Sequence, residues 1–194
     1  MKKLITLLTF GLLIACDDGS NQAEYCSTTN TNFQNLYTTT LNSNSAYTNM
    51  TTMDLLTHEY SFTVSAAKNI CAIGYQGNAT MQSNNLPYTI EVFNSTTSTM
   101  IFTGTNVFNS TAISYFGASG ALSTGNTYVV RRIIPASGYL GDLNNTIGRV
   151  CAFNSGGSPF PVSSGDITII SSNFYGTGGP IANFGIPYID IVFE

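Results

Sequence analysis

The stretch HEYSFTV, residues 58–64, alternates polar and apolar side chains along its whole length. In an extended chain, Tyr60, Phe62 and Val64 lie on one face and the polar residues between them lie on the other. A two-residue period is typical of a β-strand with one face in a core. The stretch therefore predicts a half-buried strand, and it sets the pattern for the segments around it.

The same alternation recurs at residues 88–92 and 189–193, where Asp190 and Glu194 take the polar side of the last segment. Turn-forming residues separate the segments, and no window of eleven or more residues has a helical stripe. We expect an all-β fold, an antiparallel sandwich of about 8–10 strands with a jelly-roll arrangement, over residues 53–194. The further strand candidates are residues 70–75, 100–107, 112–116, 127–134, 148–153 and 167–171.

The N-terminus has the three parts of an export signal. Lys2 and Lys3 form the positive region, an apolar run follows to Leu13, and Ala15 precedes Cys16. The run is shorter than the about 20 residues that cross a bilayer. Residues 1–15 are therefore predicted to be a signal peptide.

Residues 13–16, LIAC, resemble the bacterial lipobox, in which the cysteine is acylated and becomes the first residue of the mature protein. The resemblance implies that Cys16 carries lipid and that the membrane is a partner through N-terminal acyl chains, since two or more chains anchor stably. An ordinary secretory signal is the alternative. Residues 16–52, rich in Ser, Thr and Asn, are predicted to be a polar tether, with room for one element packed on the domain.

Charge limits the partners of the mature chain. Lys2 and Lys3 are removed with the signal peptide. The mature chain then has four basic and ten acidic residues, which gives a formal charge of −6. Phosphate-backbone binding needs a basic stripe. Nucleic acid is therefore a poor candidate partner.

Four short stretches, residues 59–65, 70–75, 125–130 and 188–193, together resemble an uncharacterised family of bacterial exported domains. Members of that family are β-sandwiches, often joined to carbohydrate-active or adhesive modules. The resemblance implies a sandwich fold and glycan binding. It brings no catalytic residues with it.

Aromatic side chains near loops are candidates for stacking on sugar rings, with amides beside them to bind hydroxyls. Core or loop packing is the alternative for these rings, because large aromatics dominate core energetics. The candidates are Tyr115, Phe116, Tyr139, Phe174 and Tyr175, with Asn144, Asn145 and Asn173 as polar partners.

Hydrolysis and metal binding have weaker signals. Two of the carboxylates could serve a glycoside hydrolase, but spacing along the chain does not place any two at the required separation. Asp142, in the loop GDLNN at residues 141–145, is a candidate ligand for a structural calcium, with a simple turn as the alternative. No other cofactor is expected. The carboxylates considered for hydrolysis are Asp54, Glu59, Glu91, Asp142, Asp166 and Asp190.

Three further residues are predicted to lie at strand edges. His58, the single histidine, is about 13 Å from Asp54 in a strand, so we interpret it as a strand-edge residue and not as a metal ligand. Arg131 and Arg132 leave opposite faces of one strand. We expect them on a solvated edge with one local ion pair.

Three cysteines remain once Cys16 is acylated. We favour a Cys71–Cys151 disulfide, because both residues lie in predicted strands while Cys26 lies in the predicted tether. Two buried thiols are the alternative.

These features predict a non-enzymatic, lipid-anchored binding module of the cell envelope that recognises glycan. A structural or assembly subunit of an outer-membrane complex is the first alternative, and a glycan-directed hydrolase is the second. Asp17 and Asp18 resemble an inner-membrane retention signal in enteric bacteria and a surface-export signal in Bacteroidetes-type bacteria. The long polar tether favours the second, at the outer membrane or cell surface.

Overall fold

A computed structural model describes residues 26–52, 56–134, 148–176 and 179–194 of the chain. These residues form two helices, α1 (Asn32–Leu41) and α2 (Ala79–Ser83), and thirteen strands. The strands are β1 (Tyr47–Thr52), β2 (Thr57–Val64), β3 (Lys68–Tyr75), β4 (Tyr88–Asn94), β5 (Thr99–Asn106), β6 (Ser114–Leu122), β7 (Tyr128–Ile133), β8 (Gly148–Phe153), β9 (Val162–Ser164), β10 (Ile167–Gly176), β11 (Gly179–Ala182), β12 (Gly185–Pro187) and β13 (Asp190–Phe193).

Three antiparallel sheets make up the fold. The large sheet has the order β11-β10-β2-β7-β4-β5, with β9 paired to β10. The two smaller sheets have the orders β13-β3-β6 and β1-β8-β12. Every strand pair among the described residues is antiparallel. The all-β, antiparallel sandwich prediction is confirmed, but the described residues form thirteen strands and not about 8–10. The jelly-roll arrangement stays a prediction.

The alternation in the sequence places one face of the large sheet in the core. Tyr60, Phe62, Ile90, Val92 and Val130 are all fully buried on this inner face. They share one apolar cluster with residues of the two smaller sheets. Burying each such side chain contributes about 1.5–3 kcal/mol. The polar residues between them form the outer face of the same sheet.

Helix α1 lies within the predicted tether, where the sequence shows no long helical stripe. Thr31 is its N-cap and accepts a hydrogen bond from the Gln34 backbone N–H. Phe33, Leu36 and Tyr37, at the i, i+3, i+4 spacing of a helix face, are buried in the core. The next residue on this face is Thr40, so the apolar stripe is too short to stand out in a long window.

The predicted tether, residues 16–52, had room for one element packed on the domain, and the structure places two elements in it. α1 packs into the core, and β1 pairs with β8 along its full length. Residues 26–52 thus belong to the folded domain and not to a spacer. The signal peptide, Cys16 and the remaining spacer lie outside the described residues.

The predicted disulfide is wrong. Cys26 bonds to Cys71, and Cys151 is a free, buried cysteine on β8. The prediction assumed that Cys26 lay in a spacer, whereas the segment leading into α1 brings it to β3. Cys151 instead faces the apolar core, where it packs as a small hydrophobic residue.

Candidate functional site

A row of polar residues crosses the outer face of the large sheet. In the register of the sheet, Asn173 on β10 faces Glu59 on β2, Glu59 faces Arg131 on β7, and Arg131 faces Glu91 on β4. Directly opposed residues on antiparallel strands have Cβ atoms about 4.5–5.5 Å apart. The four side chains therefore lie next to one another although their positions span residues 59 to 173.

The Glu59 carboxylate is the centre of this row. Its Oε1 accepts hydrogen bonds from the Tyr175 hydroxyl at 3.0 Å and from Asn173 Nδ2 at 3.2 Å. Its Oε2 lies 3.4 Å from Arg131 Nε. Because three donor groups surround it and its side chain is only 10% exposed, Glu59 fixes the positions of the neighbouring side chains.

Arg131 lies between two carboxylates. Its Nε is 3.4 Å from Glu59 Oε2 and 3.8 Å from Glu91 Oε2, and 35% of its side chain is exposed. Exposed ion pairs of this kind add at most about 1 kcal/mol to stability. The main effect of the pair is to hold a guanidinium group at the surface in one place.

A groove of about 460 Å³ runs along this part of the sheet. We call it the Glu59 groove. Tyr175 is 36% exposed there. Its partial burial and, to a smaller extent, its hydrogen bond to Glu59 raise the pKa of its hydroxyl. The hydroxyl therefore stays a hydrogen-bond donor at neutral pH. The groove is lined by Leu56, Thr57, Glu59, Arg131, Ile133 and Tyr175.

The groove has the chemistry of a binding site for a polyhydroxylated ligand. The Tyr175 ring offers an apolar face, while carboxylate, guanidinium and amide groups beside it pair with hydroxyls. Glu59 and Glu91 also converge, as a glycoside hydrolase requires. The Arg131 side chain, however, fills the space between the two carboxylates where a scissile bond would have to lie.

Two of the predicted ligand-binding residues, Asn173 and Tyr175, come together in this site. Phe174, between them in sequence, points to the opposite face and is 2% exposed, with its ring 4.9 Å from the His58 ring. Tyr115 and Phe116 lie on β6 of a different sheet: the Tyr115 hydroxyl bonds to Asp190, and Phe116 packs on aromatic neighbours in the core. The other candidates, Tyr139, Asp142, Asn144 and Asn145, lie outside the described residues.

Glu59, Arg131 and Glu91 were not predicted as ligand-binding residues. The alternation did place Glu59 and Glu91 on the polar sides of their strands. Their meeting around Arg131 depends on the strand order β2-β7-β4, in which none of the neighbours are consecutive in sequence.

The edge predictions for His58, Arg131 and Arg132 are wrong, because β2 and β7 are interior strands of the large sheet. His58 and Arg132 face each other in register on its inner face and are fully buried. The Arg132 guanidinium is 5.3 Å from the Tyr75 ring centre and 5.6 Å from that of Tyr88. Burial and, to a smaller extent, the nearby Arg132 charge lower the pKa of His58 well below its usual value. This imidazole is therefore neutral. The prediction that Arg131 and Arg132 leave opposite faces is confirmed.

The predicted position of Asp190 on the polar side of its strand is also wrong. It is fully buried, although the alternation placed it towards solvent. The start of α1 covers it: Thr31 Oγ1 donates to Asp190 Oδ1 at 2.8 Å, and Gln34 Nε2 donates to Oδ2 at 3.0 Å. The Tyr115 hydroxyl donates to the same Oδ2 at 2.8 Å. This cluster joins α1 to two strands and leaves Asp190 no role at the surface.

Within the described parts of the chain, no group of three or more His, Cys, Asp or Glu side chains is placed to hold a metal ion. None of the helices in those parts is long and apolar enough to span a bilayer. Comparison of the chain with models of known protein families and with curated proteins finds no match.

Proposed function

We propose that the protein is a non-enzymatic binding module of the cell envelope, anchored by lipid at Cys16, which recognises glycan through the Glu59 groove. The observation that carries the proposal is the half-exposed Tyr175 ring, held by the Glu59 carboxylate next to Asn173 and Arg131. An aromatic face with fixed donors and acceptors at its side is the arrangement that sugar recognition needs. Because these groups are fixed before the ligand arrives, binding costs little ordering entropy.

The geometry favours binding over the two alternatives. A hydrolase needs free space between its carboxylates, and Arg131 fills it. An assembly subunit needs one contiguous apolar patch. The two most exposed large apolar side chains of the described residues, Met100 and Ile181, lie on β5 and β11 at opposite edges of the large sheet.

The first test is a glycan array on residues 17–194 without lipid, in calcium and again in chelator. We expect retention of one glycan class. Loss of that retention in chelator would show that binding requires calcium, with Asp142 as the first ligand to test. An array on which nothing binds would contradict the proposed function.

Variants then locate the site. Tyr175→Ala should weaken binding of the retained glycan about tenfold or more, since a central aromatic contact of this kind is worth over about 1.4 kcal/mol. Glu59→Gln should also weaken it, because the carboxylate that orders Tyr175, Asn173 and Arg131 loses its charge. Met100→Ala, an exposed apolar residue of the same sheet, is the matched control and should bind like the parent. Unchanged binding in Tyr175→Ala would place the site elsewhere.

A further inference from the structure

The charges around the Glu59 groove narrow the class of glycan. Among the described residues of the row, Glu59 and Glu91 are anionic and Arg131 is cationic, so the row carries a net charge of −1. The residues that flank it on the outer face are uncharged. In the sheet register these are Tyr175, Thr57, Ile133, Thr89 and Thr105 on one side, with Thr103 at the end of the row.

The two carboxylates differ in what they offer a ligand. Glu59 already accepts two hydrogen bonds and is 10% exposed. Glu91 is 22% exposed, and its contact with Arg131 at 3.8 Å is longer than a hydrogen bond. Glu91 is therefore the carboxylate with acceptor capacity left for ligand hydroxyls.

An anionic sugar would meet both carboxylates at close range. One guanidinium, already flanked by two carboxylates, does not offset that repulsion for a third. Neutral sugars avoid it, because their hydroxyls donate to a carboxylate and accept from a guanidinium.

We propose, on the basis of the function proposed above, that the Glu59 groove takes neutral glycans and rejects those that carry carboxylate or sulfate groups. The glycan starts at the Tyr175 ring in the groove and extends past the groove's lining, across β2 and β7, to Glu91 on β4. This path covers three strand spacings, about 14 Å, which is longer than one sugar ring. Glu91 is the residue that sets the specificity.

The test compares one neutral glycan from the array with its carboxylated or sulfated counterpart of the same linkage, by calorimetry on residues 17–194. The parent should bind the neutral form at least about tenfold more tightly, a difference of about 1.4 kcal/mol. Raising the salt concentration should shrink that ratio, because salt screens partly exposed charges.

Glu91→Lys changes the row from −1 to +1 and should raise the affinity for the anionic counterpart about tenfold while weakening the neutral one. Glu91→Gln, which removes the charge with little change of shape, should shift the ratio in the same direction and serves if the lysine variant unfolds. Asp166→Lys makes the same change in total charge at the other end of β2, beside Ser65, and should leave the ratio unchanged.

The outcomes separate the two proposals. Tight binding of an anionic glycan by the parent, abolished in Tyr175→Ala, would overturn the specificity inference while the proposed function stands. An unchanged ratio in both Glu91 variants would also overturn it. If neither glycan class binds, the proposed function fails, and this inference fails with it.

Discussion

At the scale of single residues, two aspartates with similar predicted roles have opposite environments. Asp190 is buried beneath α1, and this burial raises the pKa of its carboxyl, although hydrogen bonds from Tyr115, Thr31 and Gln34 partly offset the effect. Asp166 is exposed, and hydrogen bonds from Lys68 and Ser65, together with the Lys68 charge, lower the pKa of its carboxyl. The contributions of the two residues to the stability of the fold should therefore change with pH in opposite directions.

Asp190→Asn tests the first of these dependences. Because the folded-state pKa of Asp190 lies above its ordinary value of 3.8, the folded protein binds the proton more tightly than the unfolded chain does. Its contribution is present in acid and is lost as the pH rises through the raised pKa. The free energy of unfolding of the parent minus that of the variant should fall between pH 4 and pH 7. The fall should be about 1.4 kcal/mol for each unit of pKa shift.

Urea unfolding of both proteins at a series of pH values measures this difference. Asp166→Asn is the control of opposite sign, since a lowered pKa stabilises above the ordinary value and that stabilisation is lost as the pH falls. A difference for Asp190→Asn that grew with pH would show that the hydrogen bonds outweigh burial.

At the scale of elements, α1 is the element that the two-residue alternation of polar and apolar side chains could not predict. Phe33 is fully buried, its ring 5.6 Å from that of Tyr60 and 5.2 Å from that of Tyr188. The helix thus packs in the core between β2 and the turn that joins β12 to β13. Its sequence carries only a short apolar face, and an isolated helix of ten residues would be marginal in water. Tertiary packing makes this segment helical.

Phe33→Ala should cost about 3–5 kcal/mol, the range for removing a buried phenylalanine ring from a core. Thr39→Ala, at an exposed position of the same helix, should change the free energy of unfolding by less than about 0.5 kcal/mol. Urea unfolding at pH 7 measures both. Equal changes in the free energy of unfolding for the two variants would contradict the packing of α1 in the core and would make this segment part of the spacer.

The longer core strands were predictable from sequence because each carries its own signal, whereas β1, β9, β11 and β12 were not predicted. The two-residue period places Tyr60, Phe62 and Val64 on one face without reference to any other segment. Asn173 and Tyr175 were predictable as polar and aromatic residues available to a ligand. Their meeting with Glu59, Arg131 and Glu91 was not, because strand order and register join segments far apart in the chain. Asp190 was misplaced for the same reason, since the cover over it comes from residues 31 and 34.

At the scale of the whole molecule, the Cys26–Cys71 disulfide sets the length of the proposed spacer between Cys16 and the folded domain. It bonds the first described residue to β3, so ten positions separate the predicted lipid site at Cys16 from the folded domain. A fully extended chain of that length reaches at most about 35 Å. If Cys16 carries lipid, as proposed, this reach keeps the domain near the membrane surface, where the groove meets glycans that lie close to the bilayer.

Removing the disulfide should cost about 2–4 kcal/mol, since the bond closes a loop with a sequence separation of 45 residues and so restricts the unfolded chain. Cys71→Ser and Cys26→Ser should have similar effects, while Cys151→Ser should keep the bond intact.

Alkylation at pH 8 followed by mass spectrometry identifies the pairing in residues 17–194. The native protein should take up no label, because Cys151 is buried and burial raises the pKa of its thiol to about 11. Unfolding without reductant should label Cys151 alone, and unfolding with reductant should label all three cysteines. A label on Cys26 in the unreduced, unfolded protein would instead restore the Cys71–Cys151 pairing.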